Sequence, residues 1–177
     1  TNDNAAMIRE YLAEGHGAEF GGIKVFMGSS TGNMLVDDNK ALSDLFRIQG
    51  KPILIHSEDE GIIKANLEAA KAKFGEDIPF SEHPRIRRRK ACIRSTAKAL
   101  AMAIEYGTRL HVLHVSTAEE VEMIRAAKLH NPRITAETSA NYLWFCDEDY
   151  DRLKGRVKCN PAVKGAADRE ALRKGLA

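Results

Sequence analysis

The sequence predicts an α/β fold built on a mostly parallel sheet, and three observations support this. Strand-length apolar runs, such as GIKVFM at 22–27 and KPILIH at 51–56, recur along the chain. Segments with helical periodicity separate them, which is the pattern of successive βαβ units. No repeat or low-complexity linker interrupts the 177 residues, so we expect a single domain over 1–177.

The elements are expected in a regular order. Gly75 should close one long helix, and the sequence STAE at 116–119 reads as a capping box that begins another. The first part of the chain should form a helix carrying Met7, Ile8, Tyr11 and Leu12, a strand at 22–27, a polar loop at 29–36, a helix at 39–49 and a strand at 51–56. A helix at 61–74, a loop at 76–84 and a helix at 88–106 should follow. The last part should form a strand at 109–116, a helix up to 129, strands at 133–139 and 157–161, and a final helix from 168.

Composition excludes several classes of protein. A net charge of +2 gives no reason to expect nucleic acid or an anionic membrane as a partner, and the basic run at 85–90 reads as a solvated helix entry. Cys92, Cys146 and Cys159 are scattered and form no CxxC pair, which argues against disulfides and thiolate zinc sites. With no membrane-length apolar run and no signal peptide, a cytoplasmic location is expected.

Three residues with chemical potential lie in or at the ends of predicted strands. In parallel α/β folds the functional groups gather at the carboxyl ends of strands. His56 ends the second strand, and His114 lies near the end of the third. Lys24 lies inside the first strand, where an uncompensated buried ammonium group would be costly.

The two histidines of HVLH at 111–114 need to be distinguished. They are an odd number of positions apart, so on a strand they should point to opposite faces. We therefore expect His114 to face the functional end and His111 to pack under a covering helix.

Two strand-end histidines beside a strand lysine favour a metal site. An ammonium group cannot ligate a metal, but a neutral lysine amine can add carbon dioxide and become a carbamate, which could bridge two cations. The alternative is that Lys24 lies at a frayed strand edge or pairs with a carboxylate.

Four segments together resemble the successive motifs of the dihydroorotase family, which belongs to the cyclic amidohydrolases of the amidohydrolase superfamily. They are GIKVFMGSSTGNMLVD at 22–37, IHSEDEGIIKANL at 55–67, LHVLHVSTAEE at 110–120 and VKCNPAVKGAADREAL at 157–172. They occur in the family's order and run through almost the whole chain.

The resemblance implies a (β/α)8 barrel with two zinc ions per site. It implies the reversible cyclisation of N-carbamoyl-L-aspartate to L-dihydroorotate in pyrimidine biosynthesis, in which zinc activates a bridging water and polarises the amide carbonyl. The family's bridging carboxylated lysine corresponds to Lys24, and two of its metal-binding histidines correspond to His56 and His114. Its substrate-binding asparagine corresponds to Asn160, and Ser30 and Thr31 correspond to a loop near the substrate.

The sequence also departs from the family pattern. It contains no HxH pair and no segment resembling the final aspartate strand, both of which supply metal ligands in relatives. We therefore expect an incomplete barrel that covers roughly strands 4 to 7, and an isolated 177-residue chain with little or no catalytic activity.

Two other functions stay open. A hydantoinase or dihydropyrimidinase would share the lysine and the histidines, although those relatives place an aromatic residue where this chain has SSTGN at 29–33. A non-catalytic dihydroorotase-like scaffold is the second alternative. The partners expected from the resemblance are the small-molecule substrate, further copies of the chain and aspartate transcarbamoylase.

Overall fold

Four parallel strands form one sheet in the order β1-β2-β3-β4. The computed structural model describes residues 1–28 and 33–176. The strands are β1 (Ile23–Phe26), β2 (Ile53–His56), β3 (Leu110–Val112) and β4 (Thr135–Ala136). All neighbouring pairs are parallel, which confirms the predicted α/β class and its incomplete barrel.

Helices connect the strands within the described ranges. None of the helices in 1–28 and 33–176 is long and apolar enough to cross a membrane. The α-helices are α1 (Ala5–Ala13), α2 (Asn39–Phe46), α3 (Glu60–Phe74), α4 (His83–Ile86), α5 (Arg89–Tyr106), α6 (Ala118–Lys128), α7 (Ala140–Trp144), α8 (Asp149–Leu153) and α9 (Ala166–Gly175), and short 3-10 turns lie at His16–Glu19, Phe80–Glu82 and Lys154–Val157.

The sheet has one face covered by helices and one open face. Val25, Ile55 and Val112 point to the covered face and are almost fully buried against the helical layer. The alternate residues point the other way, and the register aligns Lys24, Leu54, His111 and Thr135 in one row. The strand period of two therefore determines which side chains are available for chemistry.

Side-chain caps begin three of the helices that follow strands. The carboxylates of Asp38 and Asp59 accept the backbone N–H groups of Ala41 and Ile62, at 2.8 and 2.9 Å. The expected capping box at 116–119 is displaced by one residue: the Thr117 hydroxyl accepts the Glu120 N–H at 3.2 Å. Ser116 lies outside α6 and is buried beneath it.

The strand expected at 157–161 is not formed. Val157 ends a 3-10 turn, and the carbonyl groups that follow are bound by side chains instead of by a neighbouring strand. His83 Nε2 donates to the Cys159 carbonyl at 2.9 Å, and the Tyr142 hydroxyl donates to the Pro161 carbonyl at 2.6 Å. Proline also lacks the N–H group that a sheet ladder needs.

Candidate metal centre

The two histidines expected at strand ends lie in direct contact. His56 is the last residue of β2, and His114 lies two residues beyond β3 in a left-handed conformation with φ 42°. His56 Nδ1 and His114 Nε2 are 3.1 Å apart, and the rings meet edge to face with centroids 4.8 Å apart. Two groups 58 residues apart in the chain thus converge at the carboxyl end of the sheet.

This spacing fits two ligands of one cation. Zinc binds histidine nitrogen at about 2.0–2.1 Å, so tetrahedral geometry places two such nitrogens about 3.3 Å apart. Burial, together with the charges of His56 and Lys24, lowers the pKa of His114 to about 4. The His114 ring is therefore neutral near pH 7 and carries the lone pair that a ligand requires.

Lys24 lies on the open face of the sheet, beside this histidine pair. Its Nζ lies 4.8 Å from the centre of the Phe26 ring, and Phe26 pairs in register with His56. The lysine side chain is exposed, because the Ile23 and Val25 face of β1 is the one that helices cover. Partial desolvation still lowers its pKa, against the opposing charge of Glu137.

His111 does not pack under a helix, so this expectation is wrong. The register places it on the same face as Lys24, where its Nδ1 is 2.8 Å from the Thr135 hydroxyl and its Nε2 is 3.4 Å from Glu137. The parity argument fails because β3 ends at Val112, so alternation no longer governs His114.

Glu58 is a buried site residue that the sequence patterns did not reveal. Its side chain is 0 % exposed, and its Oε2 lies 2.8 Å from His56 Nε2. Burial alone would raise the pKa of this carboxyl, but the His56 hydrogen bond and the Arg87 charge outweigh it and hold the pKa below its ordinary value. Arg87 binds Glu58 directly and is 14 % exposed, so the basic run at 85–90 is not solvated throughout.

Gly28 permits the close packing of two strand ends. A Cβ atom at this position would lie 2.2 Å from the Glu58 carbonyl oxygen, which no side chain tolerates. The end of β1 therefore rests directly on the backbone that carries Glu58.

The other predicted site residues are Asn160, Ser30 and Thr31. Asn160 is exposed and lines a cleft together with His83 and Arg87. No hydrogen bond joins its side chain to His56 or His114 in the described part of the chain. Ser30 and Thr31 lie outside the described residues.

Few side chains within the described ranges are grouped so that they could ligate a metal ion together. Across 1–28 and 33–176, no three His, Cys, Asp or Glu side chains are grouped in a way that would hold a metal ion. The histidine pair offers two nitrogen atoms that could ligate a cation, and Lys24 lies on the same side of the sheet.

Curated relatives of two kinds match the chain equally well. A dihydroorotase from Methanosarcina acetivorans is 31% identical over 162 residues, and an allantoinase from Rubrobacter xylanophilus is 31% identical over 159. These matches cover 86% and 85% of the chain and 34% of each relative. The chain thus spans about a third of the length of these relatives. No family model matches it.

Solved structures agree on the same class of fold. The L-hydantoinase (dihydropyrimidinase) from Arthrobacter aurescens superposes with a TM-score of 0.84 at 28% identity, over 96% of this chain and 37% of that protein. Together with the sequence matches to dihydroorotases and an allantoinase, this places the chain among the cyclic amidohydrolases of the amidohydrolase superfamily, where it corresponds to part of the catalytic barrel.

Proposed function

We propose that the protein carrying this chain is a zinc-dependent dihydroorotase that interconverts N-carbamoyl-L-aspartate and L-dihydroorotate. The observation that carries the proposal is the 3.1 Å approach of His56 Nδ1 and His114 Nε2 beside Lys24, at the carboxyl ends of parallel strands. Active sites of βα barrels are built at this end of the sheet. Matches to several dihydroorotases support the choice of reaction.

Each residue has a distinct role in this proposal. His56 and His114 hold the metal through their facing nitrogens, and the lowered pKa of His114 keeps its ring neutral. Lys24 contributes a carbamate, since its lowered pKa favours the neutral amine that adds carbon dioxide. The bound metal supplies a Lewis acid for the amide carbonyl. Asn160 offers its amide to polar groups of the substrate from the cleft that it lines.

A hydantoinase, dihydropyrimidinase or allantoinase activity is the second candidate. It is favoured by the allantoinase match, which equals the dihydroorotase match in identity and coverage, and by the likeness to the L-hydantoinase. A scaffold role has less support: the solved inactive dihydroorotase-like domain from Chaetomium thermophilum shares the fold at 19% identity and a TM-score of 0.60.

Assays of the full-length protein separate these functions. Purified protein loaded with zinc is given dihydroorotate, dihydrouracil, hydantoin and allantoin in parallel, with His56→Ala as the inactive control. We expect ring opening of dihydroorotate to exceed the other three rates. Faster opening of one of the other three rings would show that the protein acts on that substrate instead. If the protein neither turned over any substrate nor bound zinc, the scaffold role would be favoured.

The proposal extends to location and partners. A pyrimidine-pathway enzyme of this kind would act in the cytoplasm on a small-molecule substrate. Assembly with further copies of itself or with aspartate transcarbamoylase is also proposed, and size-exclusion chromatography with light scattering tests both.

A further inference from the structure

Glu58 makes its closest contacts with one ring and one guanidinium group. Its Oε2 receives hydrogen bonds from His56 Nε2, at 2.8 Å, and from Arg87 Nη1. An ionised carboxylate only accepts hydrogen bonds, so the His56 proton must lie on Nε2. The other ring nitrogen of His56, Nδ1, faces His114 Nε2 at 3.1 Å.

Arg87 fixes the carboxylate from a different part of the chain. It follows the last residue of α4, and its own N–H is bound to the His83 carbonyl at 2.9 Å. The guanidinium group cannot lose its proton and presents its donors in a rigid plane, so it restricts the rotation of the Glu58 side chain. This ion pair therefore links Glu58, which follows β2, to Arg87, which precedes α5.

The two histidines are held differently. His56 has a partner for each ring nitrogen, whereas His114 Nδ1 is buried with no hydrogen-bond partner in the described residues. Of the two rings, Glu58 therefore hydrogen-bonds that of His56. Metal-bound histidines commonly donate their second N–H to a carboxylate, which fixes the tautomer and the orientation of the ring.

We propose that Glu58, held in place by Arg87, is a positioning residue that keeps His56 in the Nε2–H tautomer and so presents Nδ1 as the metal ligand. The metal part of this inference rests on the proposed function. The tautomer part does not, because it concerns the metal-free protein.

The first test measures the tautomer directly. Long-range proton–nitrogen correlation spectra of metal-free, 15N-histidine-labelled full-length protein report which His56 nitrogen carries the proton, with His56→Gln for assignment. We expect a single Nε2–H tautomer in the wild type and a mixture in Glu58→Gln. A wild-type Nδ1–H tautomer would overturn the inference, even if every variant failed to fold.

The second test measures zinc affinity by competition with a chromophoric chelator. Glu58→Gln should bind zinc 10–100-fold more weakly, which is the usual cost of losing such a partner. Arg87→Gln should shift affinity in the same direction, and the double variant should bind no more weakly than Glu58→Gln alone, since both act through one carboxylate. Glu68→Gln makes the same charge change at an exposed position of α3 and should bind as the wild type does.

The outcomes separate this inference from the proposed function. If folded Glu58→Gln, verified by circular dichroism, binds zinc within twofold of the wild type, the positioning role is wrong while the metal site stands. If the wild type binds no zinc, the proposed function fails, and the tautomer measurement alone decides the role of Glu58.

Discussion

At the scale of single residues, the surroundings of the candidate centre shift two of its basic groups towards their neutral forms. Burial and nearby positive charge lower the pKa of His114, and partial desolvation lowers that of Lys24. Both neutral forms have lone pairs that their protonated forms lack. His114 can therefore act as a ligand as it stands, whereas Lys24 would first have to form its carbamate.

Histidine substitutions test which rings belong to the centre. His114→Ala removes a proposed ligand, so zinc affinity should fall by more than the roughly 10–100-fold typical of changes around a site. His111→Ala removes a ring that instead contacts Thr135 and Glu137, and affinity should change less than threefold. Isothermal titration with zinc measures both variants, and equal losses in the two would contradict the assignment.

At the scale of secondary-structure elements, one buried carboxylate joins three helices. Asp168 of α9 is 1 % exposed; it accepts the Ala118 N–H at the start of α6 at 2.9 Å and the Gly165 N–H at 3.1 Å. It also binds both Nη atoms of Arg89 in α5, at 2.7 and 3.1 Å. The amino-terminal ends of α5, α6 and α9 are therefore linked, and a negative charge is favourable at such ends.

Removal of this carboxylate should destabilise the fold. Asp168→Ala leaves the backbone N–H groups of Ala118 and Gly165 without this partner. A fully buried unpaired donor costs about 1–3 kcal/mol, and because these two are only partly buried we expect a loss of about 2–4 kcal/mol in the free energy of unfolding rather than the full sum of about 2–6 kcal/mol. Arg89 is 44% exposed and can be rehydrated, so it adds little. Urea denaturation measures the change.

Glu119→Gln is the matched control for Asp168→Ala. Glu119 also pairs with Arg89, at 2.6 Å, but its side chain is 45% exposed. Exposed ion pairs contribute about 0–1 kcal/mol, so this variant should unfold almost as the wild type does. If the two variants lost equal stability, Asp168 would not be the link between the helices.

At the scale of the whole molecule, the alternation of strands and helices was predictable because each element has its own local signal. Ile53 and Ile55 mark a buried strand, and Gly75 ends a helix, without reference to any distant residue. The convergence of His56 and His114 was also expected, since parallel strands bring their carboxyl ends to one edge.

The rest of the centre depends on contacts that no local pattern encodes. Arg87 reaches Glu58 across 29 residues, and it lies in a basic run whose other arginines are exposed. The parity rule misplaced His111 because the exact end of β3 decides where alternation stops. The strand expected at 157–161 failed because its carbonyl groups are bound by His83 and Tyr142, two side chains far away in the chain.

The most direct test of the metal centre is anomalous diffraction at the zinc edge, from crystals of the full-length protein grown with zinc and bicarbonate. The account predicts an anomalous peak about 2.0–2.1 Å from both His56 Nδ1 and His114 Nε2, with carbamate density on Lys24 Nζ. A structure in which zinc binds elsewhere, while the two nitrogens stay hydrogen-bonded to each other, would contradict it.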